Sequence, residues 1–386
     1  VSGSYMQVLP SFVSVDEDGK EHDFLSEFGL DRDRMLLDIF LKGYQWPFDV
    51  RKLEKGSSII DMICYLELEK GRKVYLDYMV NPGGEDIDFD ALPKEARDYL
   101  IASGSVQRTP VERLRHLNEP AYSFYLDKGV DLERERLEIS LSAQHNNGGL
   151  AIDCWWQSNI EGLFPVGEVA ASHGVYRPGG SALNSGQCAS RRASLFISRK
   201  RNDKDWCFSD QIDDDDIIAI AENARNGSIR VQDAYNEARR RMSIDGSAIR
   251  NIDRLSALLS YVKDAISSFS DVCIEKDNEL WLLFEYRNAL YTQLVYLSAM
   301  LDYAKRISKS RGSALYSDPD GDIHPDGFDE RFTYSLEDDK SEASIQECML
   351  SGGVPVISYR RPRPIPEDDD FFENVWSIYR KNGCVY

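Results

Sequence analysis

Apolar positions divide the chain into four stretches with different rhythms. From residue 1 to about 108, short strand-like runs such as KVYLDYMV at 73–80 alternate with polar turns such as DEDGKEH and NPGGED, the mixture an α+β region produces. From 109 to 200 come a helical TPVERLRHL, the run LERERLEISLSAQHNNGGLAIDCWWQ, a glycine-rich stretch and a helical CASRRASLFISRK. Inside this stretch, LFPVG at 163–167 reads as a buried strand ending at Gly167. From 217 to about 307, apolar residues fall three and four apart: Ile252, Leu255, Leu259, Val262 and Ile266, then Leu283, Leu290, Leu294, Leu297 and Leu301. That spacing predicts two or three helices packed as a small bundle. Beyond Tyr316 the chain is rich in Pro, Gly and Asp, and RRPRPIPEDDDFFENVW predicts an ordered arm ending in one short helix.

A length of 386 residues exceeds the roughly 250–300 at which single cores stop growing, so more than one domain is expected. Apolar residues at 42% suit a globular chain, and no apolar run approaches the roughly 18–20 residues of a membrane helix. The net charge of -20, from 66 acidic against 46 basic residues, disfavours nucleic acid, whose phosphates need a basic face. An anionic substrate must therefore meet a local basic pocket. The seven cysteines, Cys64, Cys154, Cys188, Cys207, Cys273, Cys348 and Cys384, contain no Cys-x-x-Cys pair. Their spacing suits neither an iron-sulfur cluster, a zinc site nor a disulfide framework, and free thiols point to a cytoplasmic protein. The acidic runs at 213–216 and 368–370 lack the alternating ligands of a calcium loop, so no metal is expected. No basic and apolar leader opens the sequence, and its first residue is Val1 rather than Met, which suits a fragment or a processed chain without an export signal.

The segment GEVAASHGVYRPGGSALNSGQ, residues 167–187, holds five glycines and one arginine. Glu168 follows the expected strand at the place where a strand emerges into a binding crevice, and its carboxylate can accept two sugar hydroxyls. Gly179 and Gly180, followed by Ser181 and an apolar helix, let backbone N–H groups approach a flat or anionic ligand at a helix N-terminus. The pattern is neither Gly-x-Gly-x-x-Gly nor Gly-x-x-x-x-Gly-Lys-Ser/Thr, so it is no primary phosphate cradle. A plain glycine-rich connection between strand and helix is the competing reading. Trp155 and Trp156 could shield a planar ligand or simply pack, and His116 and His173 are acid–base candidates. His22 and His324 are expected in solvent.

GLFPVGEVAASHGVYRPGGSALNSGQ resembles the C-terminal FAD-binding segment of the succinate dehydrogenase and fumarate reductase flavoprotein family: Gly-Leu-aromatic-x-x-Gly-Glu, His-Gly-x-x-Arg, then Gly-Gly before a helix. VYLDYMVNP resembles the family's capping-domain strand, GVDLERERLEISLSAQHNNGGLAID its run into an active-site His, and ISKSRGSALYSD its Ser-Arg-Gly segment. The similarity spans most of residues 1–320. It implies an α+β to α/β fold: a capping, substrate domain at 1–144, a returning FAD-binding segment at 145–210, a helical domain at 211–315 and a C-terminal arm at 316–386.

The resemblance also implies roles. Substrate carboxylate would be gripped by His145 and Arg177 while hydride passes to or from flavin N5. Ser26 and Glu27 match the family's Thr-Glu pair near the substrate. Arg51 is the candidate for the capping-domain arginine that moves a proton, with Lys52 and Arg72 as neighbouring alternatives; such an arginine needs a depressed pKa. Gly167, Glu168, His173, Gly179, Gly180, Ser181, Ala182 and Leu183 would hold FAD, with Glu168 on its hydroxyls and the 179–183 turn against its ring.

Departures from the family pattern narrow the expectation. Leu9, in QVLPSF, stands where the family has the His of Phe-His-Pro-Thr, and a Leu holds no anion. Ala182 replaces a common Ser, and FGLDRDR replaces the family's Arg-Gly-Glu-Gly-Gly run. A mono-acid, an enoate or a bulkier substrate with one carboxylate, rather than succinate or fumarate, is expected. The Gly-x-Gly-x-x-Gly fingerprint for the FAD pyrophosphate is absent from these 386 residues. That absence implies a partner, in the form of a nucleotide-binding half or subunit, and the lack of iron-sulfur motifs implies a separate electron carrier. Two other readings stay open: a catalytically silent fragment or subunit that completes a flavoprotein, and oxidation of an amine or amino acid with the same arginine on its carboxylate.

Overall fold

Phe12 and Ser14 face Leu76 and Val74 across an antiparallel strand pair, and all four are buried. This pair is the centre of a four-stranded sheet with β1 (Ser11–Val15), β2 (Glu21–His22), β3 (Lys73–Asp77) and β4 (Leu137–Ile139) in the order β2-β1-β3-β4. The computed structural model describes residues 3–141, 148–199, 215–338, 344–363 and 368–382, and divides into two units, Val1–Glu337 and Asp338–Tyr386.

In the first unit, helices Arg32–Leu41, Ser58–Glu69, Lys94–Ala102 and Pro110–Leu126 bury their apolar sides with the sheet in one core. Local chemistry sets their starts. The Asp31 carboxylate accepts from the Arg34 N–H at 3.0 Å, and Thr109 with Glu112 forms a capping box ahead of Pro110. Leu9 lies in this core with no exposure, so its side chain is occupied by packing. Ala248, Ile249, Leu315, Phe328, Phe332 and Tyr334 complete the same core; residues 316–337, expected in the arm, thus fold back onto the first unit.

Helices Val231–Asp245, Ile252–Ser267 and Leu280–Arg306 form the bundle, with Leu255, Leu258, Leu259 and Val262 buried on one and Leu283, Leu290, Leu294 and Leu297 on another. It is tied to the sheet region through Glu69, which accepts from Tyr65 Oη at 3.1 Å, from Arg331 Nη1 at 3.2 Å and from Arg254 Nη1. A cation pair converging on one carboxylate locks two helical layers at one point.

The second unit pairs strands Ile345–Ser351 and Val354–Arg360 in a hairpin closed by Gly352 and Gly353, followed by helix Phe371–Asn382. The helix was expected; the hairpin was not, although Gly-Gly between two alternating runs is its usual signal.

LFPVG is not a strand. Val166 is extended at φ −131° and ψ 153°, but the Leu163 backbone is spent on a local turn, accepting from Ser158 N–H at 2.9 Å and donating to Ile160 at 3.1 Å. Extended backbone without a ladder makes no sheet.

Candidate functional site

The glycine-rich segment begins at Gly167, whose φ of +77° suits only glycine well and opens a tight turn, Gly167–Val169. Leu150 reaches this turn from the preceding stretch: its N–H donates to the Val169 carbonyl at 2.8 Å, and its carbonyl accepts from Ala171 at 3.0 Å. Glu168 is exposed and His173 is buried. Ser181 starts the helix Ser181–Arg199 by placing its N–H and its hydroxyl on the Pro178 carbonyl, at 3.0 and 2.6 Å. At Gly179 and Gly180 a Cβ would meet nothing within 4 Å. Their backbone faces open space. Ala182 is half-buried, whereas Leu183 is 80% exposed at the first helical turn.

Arg177 donates from Nη1 to the Gly179 carbonyl at 3.2 Å. Its Nε is buried and makes no hydrogen bond, and among the described residues the guanidinium has no carboxylate partner. The side chain as a whole is half-buried, and an open donor shut off from water favours an acceptor that can reach it.

Arg51 lies on the turn Val50–Lys52, which Asp49 caps by accepting from the Arg51 N–H at 3.0 Å. The same carboxylate takes Nε at 3.0 Å and Nη2 at 2.7 Å. That bidentate pair raises the Arg51 pKa, the reverse of what a proton-moving arginine requires. The other face of the guanidinium lies 3.7 Å from the ring centroid of Tyr176. Lys52 is instead bonded to the Gln45 carbonyl at 3.3 Å and Arg72 to Glu67 at 2.7 Å; of the three neighbouring cations, Arg51 is the one in contact with the glycine-rich segment.

Ser26 and Glu27 do not join this cluster. Ser26 donates its hydroxyl to Asp23 at 2.8 Å, and Glu27 meets His22 Nδ1 at 3.3 Å. These side chains are thus engaged away from Arg51 and Arg177. His22, expected in solvent, is buried at 8% exposure, with Asp16 at 3.1 Å on its other ring nitrogen. His145 lies outside the described residues. Trp155 packs on Phe196 at 5.4 Å between centroids, and Arg192 lies over both tryptophans. Tyr176 was not singled out from the sequence. Its place beside Arg177 was the only available signal.

Few side chains of residues 148–199 are buried: Pro165, Ala170, His173, Ala189 and Ala193. Leu150, Ile160, Leu163, Val169, Leu183 and Ile197 are each 45% or more exposed. Apolar surface concentrated in one segment is the mark of an interaction site.

Residues 79–183 match the protein family described as FAD binding domain. The chain is 28% identical over 277 residues to one of the subunits of the fumarate reductase (CoM/CoB) of Methanothermobacter marburgensis, covering 70% of this chain and 46% of that protein. It is 27% identical over 293 residues to an uncharacterised FAD-dependent oxidoreductase of Methanocaldococcus jannaschii, covering 74% and 48%. A solved structure of quinol-fumarate reductase with menaquinol molecules shares the fold, with a TM-score of 0.55 and 16% identity over 92% of this chain and 56% of that one. The chain spans about half the length of the curated relatives it matches. The chain is thus similar to flavoproteins of the succinate dehydrogenase and fumarate reductase type, and the family it matches over residues 79–183 is one that binds FAD. The glycine-rich segment fits such a group, with open space over Gly179 and Gly180, an apolar Leu183 in the open, and the unpartnered Arg177 Nε beside them.

Proposed function

We propose that this chain supplies the ring-side and capping half of an FAD-dependent oxidoreductase, acting on a C–C bond next to a single carboxylate of a small substrate. The observation that carries this reading is the buried, unpartnered Nε of Arg177 two residues from backbone that faces open space. When bound, FAD supplies the hydride acceptor or donor. Gly179, Gly180, Ser181, Ala182 and Leu183 would lie along its ring, Gly167 and His173 would support the turn, and Glu168 would take its hydroxyls. Arg177, with His145, would grip the carboxylate and align the adjacent carbons. Arg51, held as a cation by Asp49, fits anion binding and orientation better than proton transfer. Ser26 and Glu27 would reach the substrate only after rearrangement, since their side chains are now engaged with Asp23 and His22. Leu9, buried in the core, leaves the second end of a dicarboxylate without a basic partner; an enoate or other mono-acid is the favoured substrate class.

The exposed apolar side chains of residues 148–199 support a second reading: the chain is silent until a nucleotide-binding half covers them, with electrons supplied by a separate carrier. Both readings are tested by adding FAD and then crotonate, a small enoate, while recording the visible flavin spectrum. Perturbation by crotonate that disappears in Arg177→Ala supports the first. A spectrum insensitive to crotonate, or equally sensitive in the variant, rejects it.

A further inference from the structure

The Ser-Arg-Gly segment near 310–312 meets both the Arg51 turn and the glycine-rich segment. The Val50 N–H donates to the Gly312 carbonyl at 3.0 Å, and the Gly312 N–H donates to Tyr176 Oη at 3.1 Å. The Tyr176 ring in turn lies 3.7 Å under the guanidinium of Arg51, the residue after Val50. These contacts close a circuit through residues 50, 312, 176 and 51. Ser313 fastens its base by donating to the Phe48 carbonyl at 2.7 Å. Gly312 is required twice over: its φ is +54°, and a Cβ there would run into Val175 Cγ1. A side chain at 312 would force the Val175 side chain to shift.

The circuit has open donors on both sides. Arg51 spends Nε and Nη2 on Asp49, and its Nη1 makes no hydrogen bond among the described residues. Arg177, the neighbour of Tyr176, has its buried Nε unpartnered. A ring face attracts a cation and fixes the plane of its guanidinium, so Tyr176 determines which way the free edge of Arg51 points. Its hydroxyl ties the segment that carries Arg177 to Gly312.

We propose that Tyr176 is a positioning residue that joins the Arg51 turn to Arg177 through Gly312, so that both arginines present their open donors to one carboxylate as a single rigid unit. The assignment rests on the reading above that Arg177 meets the substrate carboxylate. It makes Arg51 a second binding group whose contribution depends on a tyrosine 125 positions away in sequence.

Two measurements on the full chain separate the parts of this claim. Hydrogen exchange reads the circuit itself: in Tyr176→Phe the Gly312 amide exchanges at least about tenfold faster, while the Leu315 amide, bonded to the Ala248 carbonyl at 2.8 Å, stays protected. Unchanged exchange at Gly312 overturns the circuit. Calorimetric binding of crotonate in the presence of FAD reads the coupling: Tyr176→Leu weakens binding about three- to tenfold, Arg51→Ala does the same, and the double variant loses no more than either alone. Tyr176→Phe, which keeps the ring under Arg51 but loses the tie to Gly312, gives a smaller loss of about two- to threefold. Additive losses in the double variant overturn the coupling. A parent chain that binds no crotonate overturns the carboxylate reading instead, and the Gly312 amide still decides whether Tyr176 is the strut.

Discussion

Arg113 donates from Nη2 to Asn81 Oδ1 at 2.7 Å from a side chain with no solvent exposure. Its Nε holds the Val8 carbonyl at 3.0 Å, and Nη1 holds the carbonyls of Gln107 and Arg108 at 2.8 and 3.1 Å. Four acceptors from three separate segments thus converge on one planar fork, without a carboxylate. Burial pushes the guanidinium pKa down to about 10, which still leaves it charged at neutral pH. Only the fork geometry satisfies all four acceptors.

Arg113→Lys therefore keeps the charge but strands at least one buried acceptor. The expected loss is about 2–4 kcal/mol of stability, read as a lower urea midpoint with an unchanged slope. A midpoint within error of the parent would show that the acceptors are satisfied some other way.

Glu67 gives the acid limb of stability a specific carrier. It is 2% exposed and accepts from Ser14 Oγ at 2.5 Å, Lys70 Nζ at 2.6 Å and Arg72 Nη1 at 2.7 Å. Burial would raise its pKa, but the three hydrogen bonds outweigh it and hold the carboxyl below the ordinary range. A depressed folded pKa stabilises the fold above the unfolded value of about 4.3 and loses that contribution as pH falls through the folded value. Glu67→Gln should cost about 1–3 kcal/mol near neutrality, with the gap to the parent closing in acid. Thermal midpoints of the two proteins that stay parallel down the acid limb would assign the effect elsewhere.

Gly312 and Gly179 separate stability from function. Gly312→Ala combines a left-handed φ with a collision at Val175 and should cost about 1–3 kcal/mol. Gly179→Ala meets open space and has no positive φ, so its stability should stay within about 0.5 kcal/mol of the parent. FAD binding should nonetheless weaken if the ring lies over this backbone as proposed, because the added methyl would stand in its way. Calorimetric unfolding and an FAD titration of both variants distinguish the roles; equal behaviour of the two would contradict the assignment.

Much of this was legible because local spacing dictates it. Val74 and Leu76 alternate with polar neighbours and became β3, and Leu255, Leu259 and Val262 fall on one helical face and are buried there. The glycine-rich segment announced itself through composition. LFPVG misled because apolar content predicts burial, whereas a strand needs a partner ladder, and here Leu163 is held by its own turn. His22 looked like a polar loop residue, yet carboxylates 6 residues before it and 5 after close on both ring nitrogens. The Tyr176–Gly312 contact joins positions 136 apart, and no local pattern encodes such a meeting. Arg51 was singled out, but its partner Asp49, which accepts from its Nε and Nη2, was not weighed.

The most direct test of the account is a titration of the purified chain with FAD, followed through the visible flavin bands. The account predicts a saturable perturbation of the spectrum that is weakened by Leu183→Asp, because that side chain stands 80% exposed where the ring would lie. A flavin spectrum identical to that of free FAD at every protein concentration, or a perturbation indifferent to Leu183→Asp, would contradict it.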